Sequence, residues 1–397
     1  MNPIPAPLGA PARPRIAGHP VDLAEVCRVA DARAADGERL RRLHPEVVSA
    51  LRDAGLFRLW VPVDYAGPGA SVQEVVDIIE TVSAADASAG WAIMIANTTA
   101  LTAPLLSPEW ARTIFAPADS CTGGYGMPAA RAVPVDGGLR VTGRWSWGSG
   151  TDHCTWIGGG VRVVDADGNP TRAADGATTP FCFFDPADVE LLDTWHVAGL
   201  RATASTDYAV SGAFVPEGRW AQLVGGTPRV DSPLVRFSFF GALAAGVAAV
   251  SLGLARRAVG ELVALAEKRP MGSSRTLAER SAVQADLARA VAAHAQARAH
   301  LGDVIGRSWE RATAGDPLGD ELRVELRLAA TGAVERATHA VDLCYHAGGG
   351  SSIHETNPLQ RVFRDAHVAT QHGMIAVRTL EPVGRFAFGL PTSTEQL

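Results

Sequence analysis

The chain has 397 residues, 47% of them hydrophobic and 20% charged, with a formal net charge of −6. That balance builds a large globular core and excludes a disordered, collagen-like or disulfide-stapled chain. No basic stripe invites nucleic acid, and no polybasic tract invites an anionic membrane.

The five cysteines, Cys27, Cys121, Cys154, Cys182 and Cys344, are odd in number and form no Cys-x-x-Cys pair. They predict free, buried thiols in a reducing compartment rather than a disulfide frame, and no metal site. Residues 1–20 are rich in Pro and Ala and lack the unbroken apolar block of an export signal. A flexible tail and a cytoplasmic location are expected. Residues 21–117 carry helix signals. Pro45 follows His44 at a helix start, and Gly55 is placed to stop that helix. Ser71-Val-Gln-Glu74 spells a capping box before an apolar run, and Ser107-Pro108 sets another N-cap with Pro at the first helical position.

Residues 118–228 change to strand signals. Asp136-Gly137-Gly138 separates Ala132–Val135 from Leu139–Thr142 as a hairpin turn, and Asp167-Gly168-Asn169 marks a second turn. Thr155–Val164, Pro180–Phe184 and Tyr208–Val215 are short runs with β-branched or aromatic content, so a small antiparallel sheet domain or barrel is expected. Residues 229–397 return to helical periodicity, with breaks near Arg269–Ser274, Gly315–Gly319 and Gly348–Asn357. Four long helices in an antiparallel bundle are expected. Within them Phe237–Ala255 carries no charge and is long enough to cross a bilayer. Its Ala, Gly and Ser gain little from lipid, so it reads as a buried bundle helix and no membrane association is expected.

Helices, then a sheet, then a four-helix bundle make an α+β, mainly helical chain in the order of the acyl-CoA dehydrogenase fold. Local motifs carry the likeness further. Gly143-Arg-Trp-Ser-Trp-Gly-Ser-Gly150, with Thr-Asp-His-Cys-Thr-Trp156 after it, resembles the flavin-edge strand of the two-component flavin-dependent monooxygenases built on that fold. Asp193–Ser205 resembles their second flavin segment and is followed by Ala213-Phe-Val-Pro216. Arg361–His372 resembles their last-helix signature, and Phe388-Gly-Leu-Pro391 also recurs there. The pattern is similar to the 4-hydroxyphenylacetate and 3-hydroxy-seco-androstane-dione hydroxylase components, from about Asp22 to Pro391. The resemblance implies FAD or FMN used in reduced form with O2, a homotetramer, and one oxygen atom transferred to a small aromatic substrate, phenolic or indolic. No Gly-x-Gly-x-x-Gly follows a strand, so a separate NAD(P)H:flavin reductase is the implied partner.

Candidate site residues follow. Glycines around Tyr125 and Gly126, expected at the end of the first strand, would admit a flavin ring closely; their plain reading is a Gly-rich turn. Trp147 and Ser149 alternate along the next strand and are expected on one face, the Trp over the ring and the hydroxyl at its N5/C4a edge. Arg201, Thr203 and Ser205 suit polar flavin contacts, or a solvated loop. Gly349, Gly350 and Ser351 suit a phosphate held by backbone amides, with Arg269 beside them, or a simple helix link. Trp91, Trp195, Phe237 and Phe240 are candidates for a dry substrate pocket, together with Tyr125, Trp147 and Phe239. His372, placed by the resemblance in the last bundle helix, is the candidate catalytic residue, taking a phenolic proton or hydrogen-bonding oxygen, with Ser149 beside it. Asp365 is expected to pair with an Arg, and Asp152-His153 to be a surface turn pair. Family phenol hydroxylases often carry a further His after Gly90-Trp91; Asn97-Thr98-Thr99 stands there instead.

A dehydrogenase of this fold needs a carboxylate base. In that family the base usually follows the last-helix Arg-Asp by a fixed interval, which from Arg364-Asp365 falls at Gly373, or lies in the first long bundle helix, where no Asp or Glu stands between Arg236 and Arg256; the resemblance thus implies that both base positions are empty. An N-hydroxylase acting on an amine or amino sugar shares every flavin motif and stays open, as does a homologue that has lost its flavin.

Overall fold

A computed structural model describes residues 14–397; the expected tail over 1–20 lies mostly outside them. A small ribbon, β1 (Arg15–Ile16) with β2 (His19–Pro20), precedes the helices α1 (Ala24–Leu40), α2 (Pro45–Asp53), α3 (Val72–Ala85), α4 (Ala87–Ala100) and α5 (Pro108–Phe115). Their starts are where local chemistry put them. The His44 ring accepts from the Glu46 amide ahead of Pro45. Ser71 and Glu74 close a reciprocal capping box, and the Ser107 hydroxyl accepts from the Trp110 amide. Each such cap contributes about 1 kcal/mol.

The sheet contains β3 (Thr122–Val135), β4 (Gly138–Gly148), β5 (Trp156–Val163), β6 (Phe181–Phe184), β7 (Glu190–Leu192), β8 (Thr206–Pro216) and β9 (Trp220–Ala221). Their order is β7-β8-β4-β3-β5-β6-β9. The Asp136-Gly137 turn joins β3 to β4 with Val135 opposite Gly138. The pairing is antiparallel except between β3 and β5, which run parallel. That exception corrects the expectation of a wholly antiparallel sheet, and it has a cause. Residues 149–155 leave β4 on one side of β3 and cross over its start to begin β5 on the other. The crossing needs room, and Gly123 supplies it: a Cβ there would stand 2.9 Å from both the Ser149 carbonyl oxygen and the Cys154 sulfur. Gly124, at φ +135, lies against the Gly158 backbone and admits no side chain.

The C-terminal part has α6 (Pro233–Arg236), α7 (Phe239–Ala264), α8 (Ser281–Thr313), α9 (Asp320–Gly348), α10 (Pro358–Ala369) and α11 (Leu380–Ala387). The helix α9 packs on α7 and α8, and α3 of the N-terminal layer also lies on α7. Three bundle helices are long, but α10 has only 12 residues and ends at Ala369, so the fourth long helix expected from the sequence is a short one. The apolar run predicted as a bundle helix is α7, with 78% of its most apolar 18-residue window buried. Its small side chains let α3, α4 and α9 approach closely. Gly246 lies against the Met94 side chain and Gly253 against Ser83. The five cysteines are free.

Candidate active site

The end of β4 does not keep the two-residue alternation of a strand. Register with β8 slips between Trp145 and Gly148, and Trp147 adopts φ +59. Trp145 stays buried, its indole N–H donating to the Gly160 carbonyl at 2.7 Å. Trp147 is thrown outward and is 59% exposed, while Ser149 turns inward and is 4% exposed. The expectation that Trp147 and Ser149 share a face is therefore wrong, because a bulge changes which side a side chain takes. Trp147 meets the Tyr125 ring edge-on at 5.6 Å. Tyr125, Gly126 and their neighbouring glycines open β3 rather than end it.

Ser149 lies in a buried seam of hydroxyl groups. The Trp91 indole N–H donates to its Oγ at 3.1 Å, and that Oγ is 2.6 Å from the Ser205 Oγ. The Ser205 and Thr203 hydroxyls are 2.7 Å apart, and Thr203 donates to the Leu200 carbonyl at 2.9 Å. An indole nitrogen only donates, and a hydroxyl has one proton and two lone pairs. With Thr203 committed to Leu200, Ser205 donates to Thr203 and Ser149 donates to Ser205. Ser149 then accepts from Trp91 and keeps one free capacity, as an acceptor. The seam is held by strained backbone: Leu200 and Ala204, at φ +50 and +47, bracket the Arg201–Thr203 turn. Left-handed backbone at such residues costs about 1–2 kcal/mol each and concentrates at functional sites.

His372 follows the end of α10, in a turn rather than in the helix. Its ring lies 5.5 Å from Trp91, edge to face at 77°. The Met374 amide donates to its Nδ1 at 3.3 Å, so the proton of the neutral ring sits on Nε2. Burial, then the nearby Arg327 cation, push its pKa down to about 4. At neutral pH it is an uncharged imidazole that donates through Nε2. His367 points elsewhere, to Asp342 at 2.9 Å. Asp365 does not pair with an Arg as expected. It accepts from the Leu200 amide at 2.5 Å, tying α10 to the seam's loop, and burial lifts it to about 7. Asp152-His153 is the expected bonded pair in a turn with Asp152 exposed, but the His153 side chain is only 10% exposed and lies against Phe57. Asn97 is wholly spent on structure, donating to the Leu56 and Ile93 carbonyls and accepting from the Trp60 amide.

The family model "Acyl-CoA dehydrogenase, N-terminal domain" matches residues 24–107, and "Acyl-CoA dehydrogenase, C-terminal domain" matches 245–377. An indole-3-acetate monooxygenase of Pseudomonas putida is 31% identical over 359 residues, 90% of each chain. A pigment production hydroxylase of a Rhodococcus species is 32% identical over 374 residues, covering 91% of this chain and 94% of that one. The structure of XiaF from a Streptomyces species, in complex with FADH2 and glycerol, superposes with a TM-score of 0.86 at 29% identity, covering 93% of this chain and 94% of that one. The chain belongs to the flavin-dependent monooxygenases of the acyl-CoA dehydrogenase fold.

For this monooxygenase the remaining predicted residues divide. Arg201 is half-buried with its Nε unpartnered, a donor left for a ligand. Gly126 is open, with only Leu223 near a Cβ placed there, at 3.6 Å. Together with Tyr125, Trp147 and the free acceptor on Ser149, these groups suit the edge of a flavin ring. Gly349, Gly350 and Ser351 form a short turn after α9, the two glycines exposed. Arg269 does not join them; it turns back to the Ser274 carbonyl. The neighbouring Lys268 reaches the Ser351 hydroxyl instead, a contact that sequence reading passed over by one position. Trp195 packs on its own loop, donating to the Leu200 carbonyl at 3.3 Å.

Phe237 and Phe240 line a cavity of about 530 Å³ with Phe239, Leu101 and Leu223. Trp91, Trp195, Tyr125 and Trp147 are not on its wall, so the structure does not gather these aromatics into the single pocket expected from the sequence. Leu223 lines the cavity and faces Gly126. At Gly373, where the resemblance leads one to expect a dehydrogenase's base, a Cβ would stand 3.5 Å from the Arg378 guanidinium. Arg378 also bears on Tyr125, opposing the rise that burial gives its phenol. Nothing in the sequence singled out Arg378 or Arg327.

Proposed function

We propose that this chain is the oxygenase half of a two-component system that hydroxylates an aromatic substrate, phenolic or indolic, with reduced flavin received from a separate NAD(P)H:flavin reductase. A homotetramer in the cytoplasm, built of units 21–117, 118–228 and 229–397, goes with that reading. Flavin, when bound reduced, would supply the two electrons that activate O2, one atom of which goes to the substrate and the other to water. The chain supplies position, dryness and hydrogen bonds. Ser149, with only an acceptor capacity left, suits a donor such as the N–H that reduced flavin carries at N5; the oxidised ring has no proton there. His372 donates from Nε2 to an oxygen atom, which fits a neutral imidazole better than the role of proton acceptor, since a base with a pKa near 4 is weak at neutral pH. Trp91 holds both, its N–H on Ser149 and its ring against His372. The Phe237–Phe240 cavity, linked to Gly126 through Leu223, is the route and the berth of an apolar substrate.

One observation carries the reading. The buried seam presents Ser149 and an uncharged His372, and a glycine stands where a dehydrogenase would station its carboxylate. The test is a product screen with a generic flavin reductase, NADH, O2 and panels of phenols, indoles and amines. Aromatic products carrying one atom of labelled O2 are expected. Oxygenated amines alone would move the chain to N-hydroxylation, and anaerobic bleaching of bound flavin by an acyl-CoA would make it a dehydrogenase.

A further inference from the structure

Arg327, on α9, is 3% exposed. Among the described residues it has no carboxylate partner. Its Nη2 donates to the Gln396 carbonyl at 2.7 Å and lies 3.8 Å from the Met374 sulfur, and its Nε has no partner at all. Burying an uncompensated cation is costly, and buried arginines are normally paired. The contacts say what this one does. Met374 is the residue whose amide bonds the His372 Nδ1. The segment that receives Arg327 is itself pinned: a main-chain oxygen of Leu397 accepts from the hydroxyl of Ser238, the N-cap of α7, at 2.6 Å, and Thr394 bonds Asp320.

We propose that Arg327 is a positioning residue for His372, clamping the 372–376 turn through Met374 against the 394–397 segment so that the imidazole presents its Nε2 proton. The proposal rests on the role given to His372 above. The clamp joins these two segments, and it explains why a core position keeps a charge. Arg327 is also the charged group that bears on the ring. Of the others on the packed elements, Arg378 faces Tyr125 and Gly373, and Asp365 is turned to the Leu200 amide. Residues 87–100 of α4 carry no charge, and α7 carries none before Arg256. An adjacent cation disfavours a second one, so Arg327 adds to burial in keeping the imidazole neutral.

The test needs no flavin. Long-range 1H–15N spectra of ring-labelled histidine report tautomer and titration in the flavin-free chain, with the His372 signals assigned by their loss in His372→Gln. Wild type should show a single Nε2–H tautomer that stays neutral well below pH 6. Arg327→Met should mix the tautomers and raise the titration midpoint by about one unit or more, while the melting temperature holds or rises because a buried charge has gone. Arg327→Lys should restore the low midpoint. His372 signals in Arg327→Met that superpose on wild type would overturn the proposal, and a fall in melting temperature alongside them would make Arg327 a structural peg. His372→Gln that leaves product coupling intact would sink the function assigned to His372, yet the spectra would still decide whether Arg327 positions the ring.

Discussion

Two histidines, one buried and one half-buried, divide this molecule. His294, between α8 and α3, is 3.2 Å from the Glu80 carboxylate, which also accepts from Arg298, while Arg298 reaches Asp77 at 3.0 Å. Each polar group there has a partner. Burial alone would raise the Glu80 pKa, yet His294 and Arg298 bring it below the ordinary value. His372 has the reverse surroundings: an indole edge, a backbone amide and a cation. A histidine matched with a carboxylate is a structural pin. One denied a carboxylate is left uncharged and chemically available, and the strained backbone at Trp147, Leu200 and Ala204, beside the Ser149 that shares Trp91 with it, is a further mark of a site rather than a strut.

The comparison can be broken at several points. The largest effect should come from Glu80→Ala, which leaves buried His294 without its partner and Arg298 with Asp77 alone, and should cost about 3 kcal/mol in chemical denaturation, with product per flavin oxidised unchanged in the folded fraction. Loss there of coupling without loss of stability would erase the distinction. Next, His372→Ala should cut product yield by about 10²-fold, as removal of a single oxygen-directed donor does, with the melting curve little moved. Third, Ser149→Ala leaves the Trp91 N–H and one end of the seam unpaired and should cost about 1–3 kcal/mol. It should also weaken reduced flavin more than oxidised flavin by titration; equal weakening would refute the acceptor role.

A smaller effect concerns pH. The folded-state pKa of His372 lies near 4, below its ordinary 6.5, so the folded state resists its protonation. Its stabilising contribution is present above about 6.5 and is lost as pH falls toward 4. Asp365 works oppositely: raised from 3.8 to about 7, it penalises the fold increasingly as pH climbs through that window. In denaturation series, His372→Gln should flatten the acid loss and Asp365→Asn should steepen it. The smallest effect should be Arg269→Ala, within about 0.5 kcal/mol and without change in flavin binding, since that side chain is exposed and serves its own loop.

Much of the fold was legible because its signals are local. The Ser71–Glu74 box, the Asp136-Gly137 turn and the apolar α7 run each act within a few residues. The site was legible as a set of residues but not as a geometry. Alternation failed at Trp147 because one residue of positive φ reverses the faces after it. His372 was placed in a helix because nothing in Thr370-Gln371 announces that α10 stops at Ala369. Asp365 and Arg327 take partners from the Leu200 and Gln396 backbone, and a backbone acceptor leaves no trace in side-chain pattern. Likewise aromatic content alone could not separate the Phe237–Phe240 cavity from the Tyr125–Trp147 pair.

The most direct measurement mixes chain loaded with reduced flavin with O2 and an accepted aromatic substrate in a single turnover, and counts product against hydrogen peroxide for wild type and His372→Ala. Wild type should give mostly product, and the variant should release peroxide while oxidising its flavin just as completely. Equal product from the two would contradict the claim that the unpaired imidazole directs the oxygen.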